Sequence, residues 1–230
     1  QPILLDFKGK SIEMMRINKR DISRDSFENI WNGKFILIPE NFLVFKEGFE
    51  NVVDVAFKGV YSNDSDGFFS QDLDGLTVIY SSLEPHFCCR IFPCFDQPNL
   101  KGNFLISVIV PESFKVISNE ILRNKQKVIS NQSLFQEAFI KTKLVNLEES
   151  HQQWDFVRTP PISTYLFQII AGHFKEIKCA PIDGRIPVSF YAKQNRFYDL
   201  EIEVEKLYTL KKSILLYYET FCGHKYPFSK

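Results

Sequence analysis

Up to about Asp199 the apolar positions of this chain recur mostly with a period of two, and beyond it with a period of three to four, so the pattern predicts a β region followed by one long helix. Ile3–Phe7 and Ile12–Ile17, split by Lys8-Gly9-Lys10, read as two strands and a turn. Lys34–Ile38 is a further strand that Pro39 ends. From Val52 to Tyr61, Val53, Val55 and Phe57 share one face while Asp54 and Lys58 share the other, the mark of a half-buried strand. Ser62–Gly75, polar and rich in Asp and Gly, reads as a loop. Leu76–Ser82 is a strand, and the almost continuously apolar Phe104–Val110 predicts a central strand covered on both faces and closed by Pro111. Phe114–Ser118, Lys127–Ile129 and Leu134–Ile140 follow as a meander, and Tyr165–Phe174, with Tyr165 as core, and Ile186–Tyr191 complete it.

At about Asp199 the period changes. Leu200, Val204, Leu207, Leu210, Ile214, Tyr217 and Phe221 fall on one helical stripe, with Asp199 as N-cap and Gly223 and Pro227 as stop signals. Such a helix is about 33 Å long at 1.5 Å per residue, and its stripe needs a cover.

One stretch fits neither period. Ser81–Pro98, SSLEPHFCCRIFPCFDQP, carries Pro85, Pro93 and Pro98, each fixing φ and withholding an N–H, so it is expected to form an irregular ledge pinned between sheets. Glu84 is a lone acid on that ledge. Arg90 and Asp96 flank the Pro93 corner and are expected to pair as a bidentate strut. Cys88, Cys89 and Cys94 lack the companion ligands of a tetrahedral metal site and read as buried thiols.

Composition narrows the class. In 230 residues, 44% hydrophobic and 24% charged is ordinary for a globular chain able to bury a core, and 23 Phe point to sheets with aromatic inner faces. Lys plus Arg equals Asp plus Glu at 28 each, so no net field favours nucleic acid or an anionic membrane, and neither partner is expected. No apolar run reaches the roughly 20 residues of a spanning helix. Five cysteines, two of them adjacent, make a poor disulfide framework and point to a reducing, cytoplasmic setting. In that setting the sequons at Asn63 and Asn131 carry no meaning. A first residue of Gln1 rather than Met implies further residues upstream.

The ledge also carries a resemblance. Leu83-Glu84-Pro85, Arg90, Phe92-Pro93-Cys94-Phe95-Asp96, Pro98 and Lys101 resemble, in one gap-free register, a segment of the N-terminal domain of the aminopeptidase N family of zinc metallopeptidases, which includes the leukotriene hydrolases. Gly59-Val60-Tyr61, Ile117-Ser118-Asn119, Thr159–Leu166, Gly172, Phe174, Tyr226-Pro227 and Lys230 are similar to further elements of that family in the same order. The resemblance implies a saddle-like, mainly β domain of two packed antiparallel or mixed sheets over residues 1–193. It further implies that residues 194–230 are the first helix and the start of a truncated thermolysin-like catalytic domain. The partner it implies is the chain's own catalytic domain, and the substrates are peptides.

It also implies roles. Glu84 matches the N-terminal-domain glutamate that binds the substrate's α-ammonium, and Ser82 stands where the family commonly has a Gln, so a water is expected to mediate any contact there. The family's zinc site is H-E-x-x-H on a helix, in which two imidazoles one turn apart share the metal. His86, His151, His173 and His224 are not so spaced. The zinc is therefore expected outside this chain, which by itself is expected to hold no metal ligands or catalytic residues and to hydrolyse nothing. A non-catalytic β module that binds peptides or proteins through a sheet edge, and a bifunctional enzyme of the leukotriene hydrolase type, are the alternatives.

Overall fold

Alternating burial makes most of the chain β. A computed structural model describes residues 2–128 and 150–230. The strands are β1 (Ile3–Asp6), β2 (Ser11–Ile17), β3 (Arg20–Ile22), β4 (Phe35–Ile38), β5 (Val53–Lys58), β6 (Gly67–Leu73), β7 (Leu76–Ser82), β8 (Ser107–Pro111), β9 (Lys115–Ser118), β10 (Leu122–Val128), β11 (His151–Phe156), β12 (Ile169–Gly172), β13 (Phe174–Ile182) and β14 (Ile186–Lys193). A single-turn helix α1 (Phe27–Ile30) lies between β3 and β4, and the long helix α2 (Phe197–Cys222) follows β14.

The fold is mainly β with one long C-terminal helix, and its strands divide more finely than two sheets. Among the described residues they form five, ordered β1-β4, β3-β2-β5, β6-β7-β12-β9, β10-β11-β8 and β13-β14. Every ladder among the described residues is antiparallel. The first two sheets share a core of Phe7, Ile12, Met15, Ile17, Ile36 and Ile38. The next two enclose a second core that includes Leu83, Val110, Val116, Trp154, Phe156 and Phe167. A third, small core of Ile182, Ile186 and Val188 lies between the last hairpin and α2, which contributes Tyr208, Leu215 and Leu216.

Several strand assignments change. The strands on either side of Lys8-Gly9-Lys10 do not pair with each other: β1 pairs with β4 and β2 with β5. The Lys8 N–H is instead given to the Cys89 carbonyl at 2.8 Å, which ties the crossing point to the ledge. Ser62–Gly75 is not all loop, because it contains β6, joined to β7 through Asp74 (φ 59°) and Gly75 (φ 73°). Two successive left-handed residues are what a two-residue hairpin with native strand twist requires.

The apolar run Phe104–Val110 is not a central strand. Its β part begins at Ser107 and forms the edge of the β10-β11-β8 sheet, with Leu105 63% exposed. The strand expected over Tyr165–Phe174 begins only at Ile169, and Tyr165 sits half-buried in a 3₁₀ turn over Thr164–Leu166. β11 and β13 were absent from the sequence reading, and the strand it expected over Leu134–Ile140 lies outside the described residues.

Helix α2 begins before Asp199, with Arg196 in the N-cap position, and Asp199 lies in its first turn paired with Arg196. It ends at Gly223, whose φ of 63° lets its N–H reach the Thr220 carbonyl. Of the expected stripe only Leu200 is buried and Val204 half-buried, while Leu210, Tyr217 and Phe221 are 57%, 61% and 74% exposed. The face laid on β13–β14 is a different row, through Tyr208, Leu215, Leu216 and the buried Glu219. No described helix is long and apolar enough to cross a membrane.

Candidate functional site

The ledge leaves the sheet at the end of β7. Ser81, buried, closes this end: its Oγ accepts the Ile169 N–H at 3.0 Å. Leu83 then plugs the second core, 3% exposed, while Ser82 and Glu84 on either side of it are exposed. The alternation of the strand thus carries on two residues past its last ladder pair, Ser82 with Gly67, and turns Glu84 to solvent. The Glu84–Pro85 peptide is cis, and the chain turns at once, with the Phe87 N–H given to the Leu83 carbonyl at 3.0 Å. A 3₁₀ turn over Cys88–Arg90 follows.

Arg90 and Asp96 do not pair, contrary to the expectation from sequence. Arg90 Nη1 donates to both carboxylate oxygens of Asp64, at 2.6 and 2.8 Å, and to the Asp66 carbonyl at 2.7 Å. Its guanidinium also lies over the Phe87 ring, 4.9 Å from the centroid. Hydrogen bonding from Arg90 holds the Asp64 carboxyl below its ordinary range. Asp96 faces inward, 8% exposed, where Oδ2 accepts the Cys89 N–H at 2.9 Å and Oδ1 accepts the Thr164 hydroxyl at 2.8 Å. Arg90 therefore fastens the ledge to the segment that opens β6, and Asp96 fastens it to the segment before β12. Pro93, half-buried, lines a shallow hollow with Leu5, Val53 and Val55.

The three ledge cysteines are free thiols. Burial, followed by the nearby Asp96, pushes the Cys89 thiol up to about 12. Contact with the Cys88 thiol, then burial, pushes the Cys94 thiol up as well. Groups held protonated in this way are poor nucleophiles and poor metal ligands. Among the described residues no group of three or more His, Cys, Asp and Glu is placed to hold a metal. The residues here accordingly do not fit a catalytic zinc.

What remains is one carboxylate with no hydrogen-bond or ion-pair partner among the described residues, on a backbone braced from both sides. Ser82 lies two residues before it and lines a polar cleft of about 250 Å³ together with Ser62, Asp64, Gln71 and Tyr80. An exposed carboxylate on a braced backbone offers a fixed acceptor to a cationic group. Asp64, Ser81 and Thr164 escaped the sequence reading because their partners are 26, 88 and 68 residues away, beyond any local pattern.

Comparison with known proteins supplies a context. Residues 42–166 match the family described as "Peptidase M1 N-terminal domain". The chain is 27% identical over 180 residues to the "Probable aminopeptidase 1" of Saccharolobus solfataricus, covering 77% of this chain and 20% of that protein. It is 29% identical over 185 residues to the mitochondrial aminopeptidase 2 of Saccharomyces cerevisiae, covering 77% of this chain and 17% of that one. The chain thus spans about a fifth of the length of these relatives. Its fold matches that of Legionella pneumophila aminopeptidase A in complex with aspartic acid. The TM-score is 0.73 at 14% identity, and the match covers 99% of this chain and 24% of that one.

Proposed function

Because this chain belongs to the peptidase M1 N-terminal domain family, we propose that it forms the amine-recognition wall of a zinc aminopeptidase that removes residues from peptide N-termini. The observation that carries this reading is the carboxylate of Glu84, without a partner among the described residues, on a ledge braced at Ser81 and at Cys89. A free α-ammonium is the one group that every peptide N-terminus presents and no internal peptide bond has. A fixed carboxylate that pairs with it selects chain ends and sets the distance from the end to the bond that is cut.

The chemistry at that bond belongs to the rest of the protein. Zinc, when bound there, polarises the carbonyl and activates water. The residues of this chain hold and orient: Glu84 takes the ammonium, and Ser82, exposed beside it, meets it through water. We place the domain boundary between residues 193 and 194, so that α2 opens the catalytic domain and its exposed apolar row is covered by that domain. The free thiols suit a cytoplasmic enzyme.

The test is made in the full-length protein. Glu84→Gln keeps the shape and removes the charge, and loss of one member of a desolvated charge pair costs about 2–5 kcal/mol, roughly 30-fold to several thousand-fold in kcat/KM. Unchanged kinetics on a peptide with a free amino terminus would remove Glu84 from the site.

A further inference from the structure

Among the described residues Glu84 has no hydrogen-bond or ion-pair partner, so its position depends on the backbone on either side. On the upstream side the strand ladder, Ser81 and the buried Leu83 hold it. On the downstream side the chain runs through successive turns, Phe87 N–H to the Leu83 carbonyl at 3.0 Å, Arg90 N–H to Phe87 at 3.1 Å and Ile91 N–H to Cys88 at 2.8 Å. Within that run the Cys89 N–H points inward to Asp96.

Among the described residues no basic side chain pairs with Asp96. Its two oxygens are taken by one backbone N–H and one hydroxyl, and the hydroxyl is that of Thr164, 5% exposed. Thr164 in turn is held in register by its neighbours. The Ser163 hydroxyl donates to the Pro98 carbonyl at 2.6 Å, and the Ile162 and Gly102 amides exchange hydrogen bonds at 3.0 Å. Further along the same segment, Ile169 meets Ser81 on the other side of Glu84. A single stretch, Ile162–Ile169, therefore anchors both ends of the ledge.

We infer that Thr164 is a positioning residue for the amine site, setting the place of Glu84 through the Asp96 carboxylate and the Cys89 N–H. The inference rests on the recognition role proposed for Glu84. Without the Thr164 hydroxyl, Asp96 Oδ1 is left buried and unpaired, and a buried carboxylate in that state moves toward water or another donor. Either movement draws on the Cys89 N–H and with it on the turn that carries Glu84. A misplacement of about 1 Å in such a site costs on the order of 100-fold.

The experiment is a double-mutant cycle in the full-length enzyme, with kcat/KM measured on one peptide in free and N-acetylated form. Thr164→Val should lower kcat/KM about 10- to 100-fold on the free peptide and reduce the ratio of free to acetylated turnover, and Thr164→Ser should restore it to within about threefold. Added to Glu84→Gln, Thr164→Val should cost no more than about a further threefold, since the group it positions is gone. Full multiplication of the two losses, an equal fall on both peptides, or a silent Thr164→Val beside an impaired Glu84→Gln would each overturn this inference alone. A silent Glu84→Gln removes the recognition reading and this inference with it. If the valine is not accommodated, Thr164→Ala removes the same hydroxyl and is put through the same cycle. Failure of both to fold, with Thr164→Ser folded, would make Thr164 a residue of the core and not of the site.

Discussion

The ledge and the long helix each leave something uncovered, and they leave opposite things. On the ledge the hydrocarbon is inside, with Leu83 3% and Cys88 0% exposed, and a carboxylate is outside. On α2 the carboxylate of Glu219 is inside, 8% exposed, while Tyr217 and Phe221 are 61% and 74% exposed. A lone carboxylate in water costs nothing until a ligand desolvates it, which suits a group that waits for a substrate. A row of exposed aromatic and aliphatic side chains lowers its free energy as soon as it is covered, which suits a permanent neighbour. On the function proposed above, the difference separates a ligand site from an internal seam.

The sharpest way to break that distinction is to place charge on the helix row. Ile214→Glu with Tyr217→Glu should cost roughly 3–5 kcal/mol in the full-length protein, where the row is proposed to be covered and the new charges have no partner. The same pair should stay within about 0.5 kcal/mol in the 230-residue chain, where both side chains are exposed. Equal, small effects in the two proteins would leave the row without a cover.

Leucine truncation contrasts the two regions within one chain. Leu83→Ala opens a cavity in the second core and should cost about 2–5 kcal/mol. Leu210→Ala, at a position 57% exposed, should change stability by less than about 0.5 kcal/mol, because alanine is also a good helix former. Urea midpoints of the two variants of the 230-residue chain decide this.

The smallest effect is expected where the helix end is clasped. Glu219 accepts the Tyr226 N–H at 2.8 Å, Arg185 Nη2 at 2.9 and 3.2 Å, and Lys225 Nζ at 2.9 Å. Those bonds, the Tyr226 N–H foremost, pull its carboxyl from the ordinary 4.5 down to about 2. A depressed carboxyl stabilises the fold fully above its unfolded value and progressively less as pH falls through its folded one. Glu219→Gln should therefore lower the melting temperature at pH 7, and its gap from the parent chain should narrow between pH 4.5 and about 2. A gap independent of pH would mean that the clasp acts by shape alone.

How much of this was legible in the sequence depends on where the partners lie. Strands whose apolar residues alternate, such as β5 and β14, and the helix with its Gly223 stop are written locally, and so is the break at Ser81–Pro98. β11 was missed because it buries polar residues. Gln152 is 3% exposed and donates to the Glu112 and Phe114 carbonyls at 3.0 and 2.8 Å, which erases the expected alternation. β6 was hidden by an edge position that lets Ser70, Gln71 and Asp72 face water, although Asp74-Gly75 marked the hairpin. The helix row was visible, but which of two apolar rows meets β13–β14 depends on the hairpin as well as the helix. Arg90 and Asp96 read as partners because they are close in sequence, whereas the fold offers each a nearer one.

The central claim is that Glu84 waits for an ammonium, and one ratio tests it most directly. In the full-length protein, kcat/KM for a peptide with a free amino terminus is divided by that for its N-acetylated form, in the parent protein and in Glu84→Gln, with a thermal melt of each. The predicted result is a ratio that collapses, by roughly 30-fold or more, through loss on the free peptide alone and at an unchanged melting temperature. A ratio that stays constant while both activities and the melting temperature fall would contradict the claim and make Glu84 part of the scaffold.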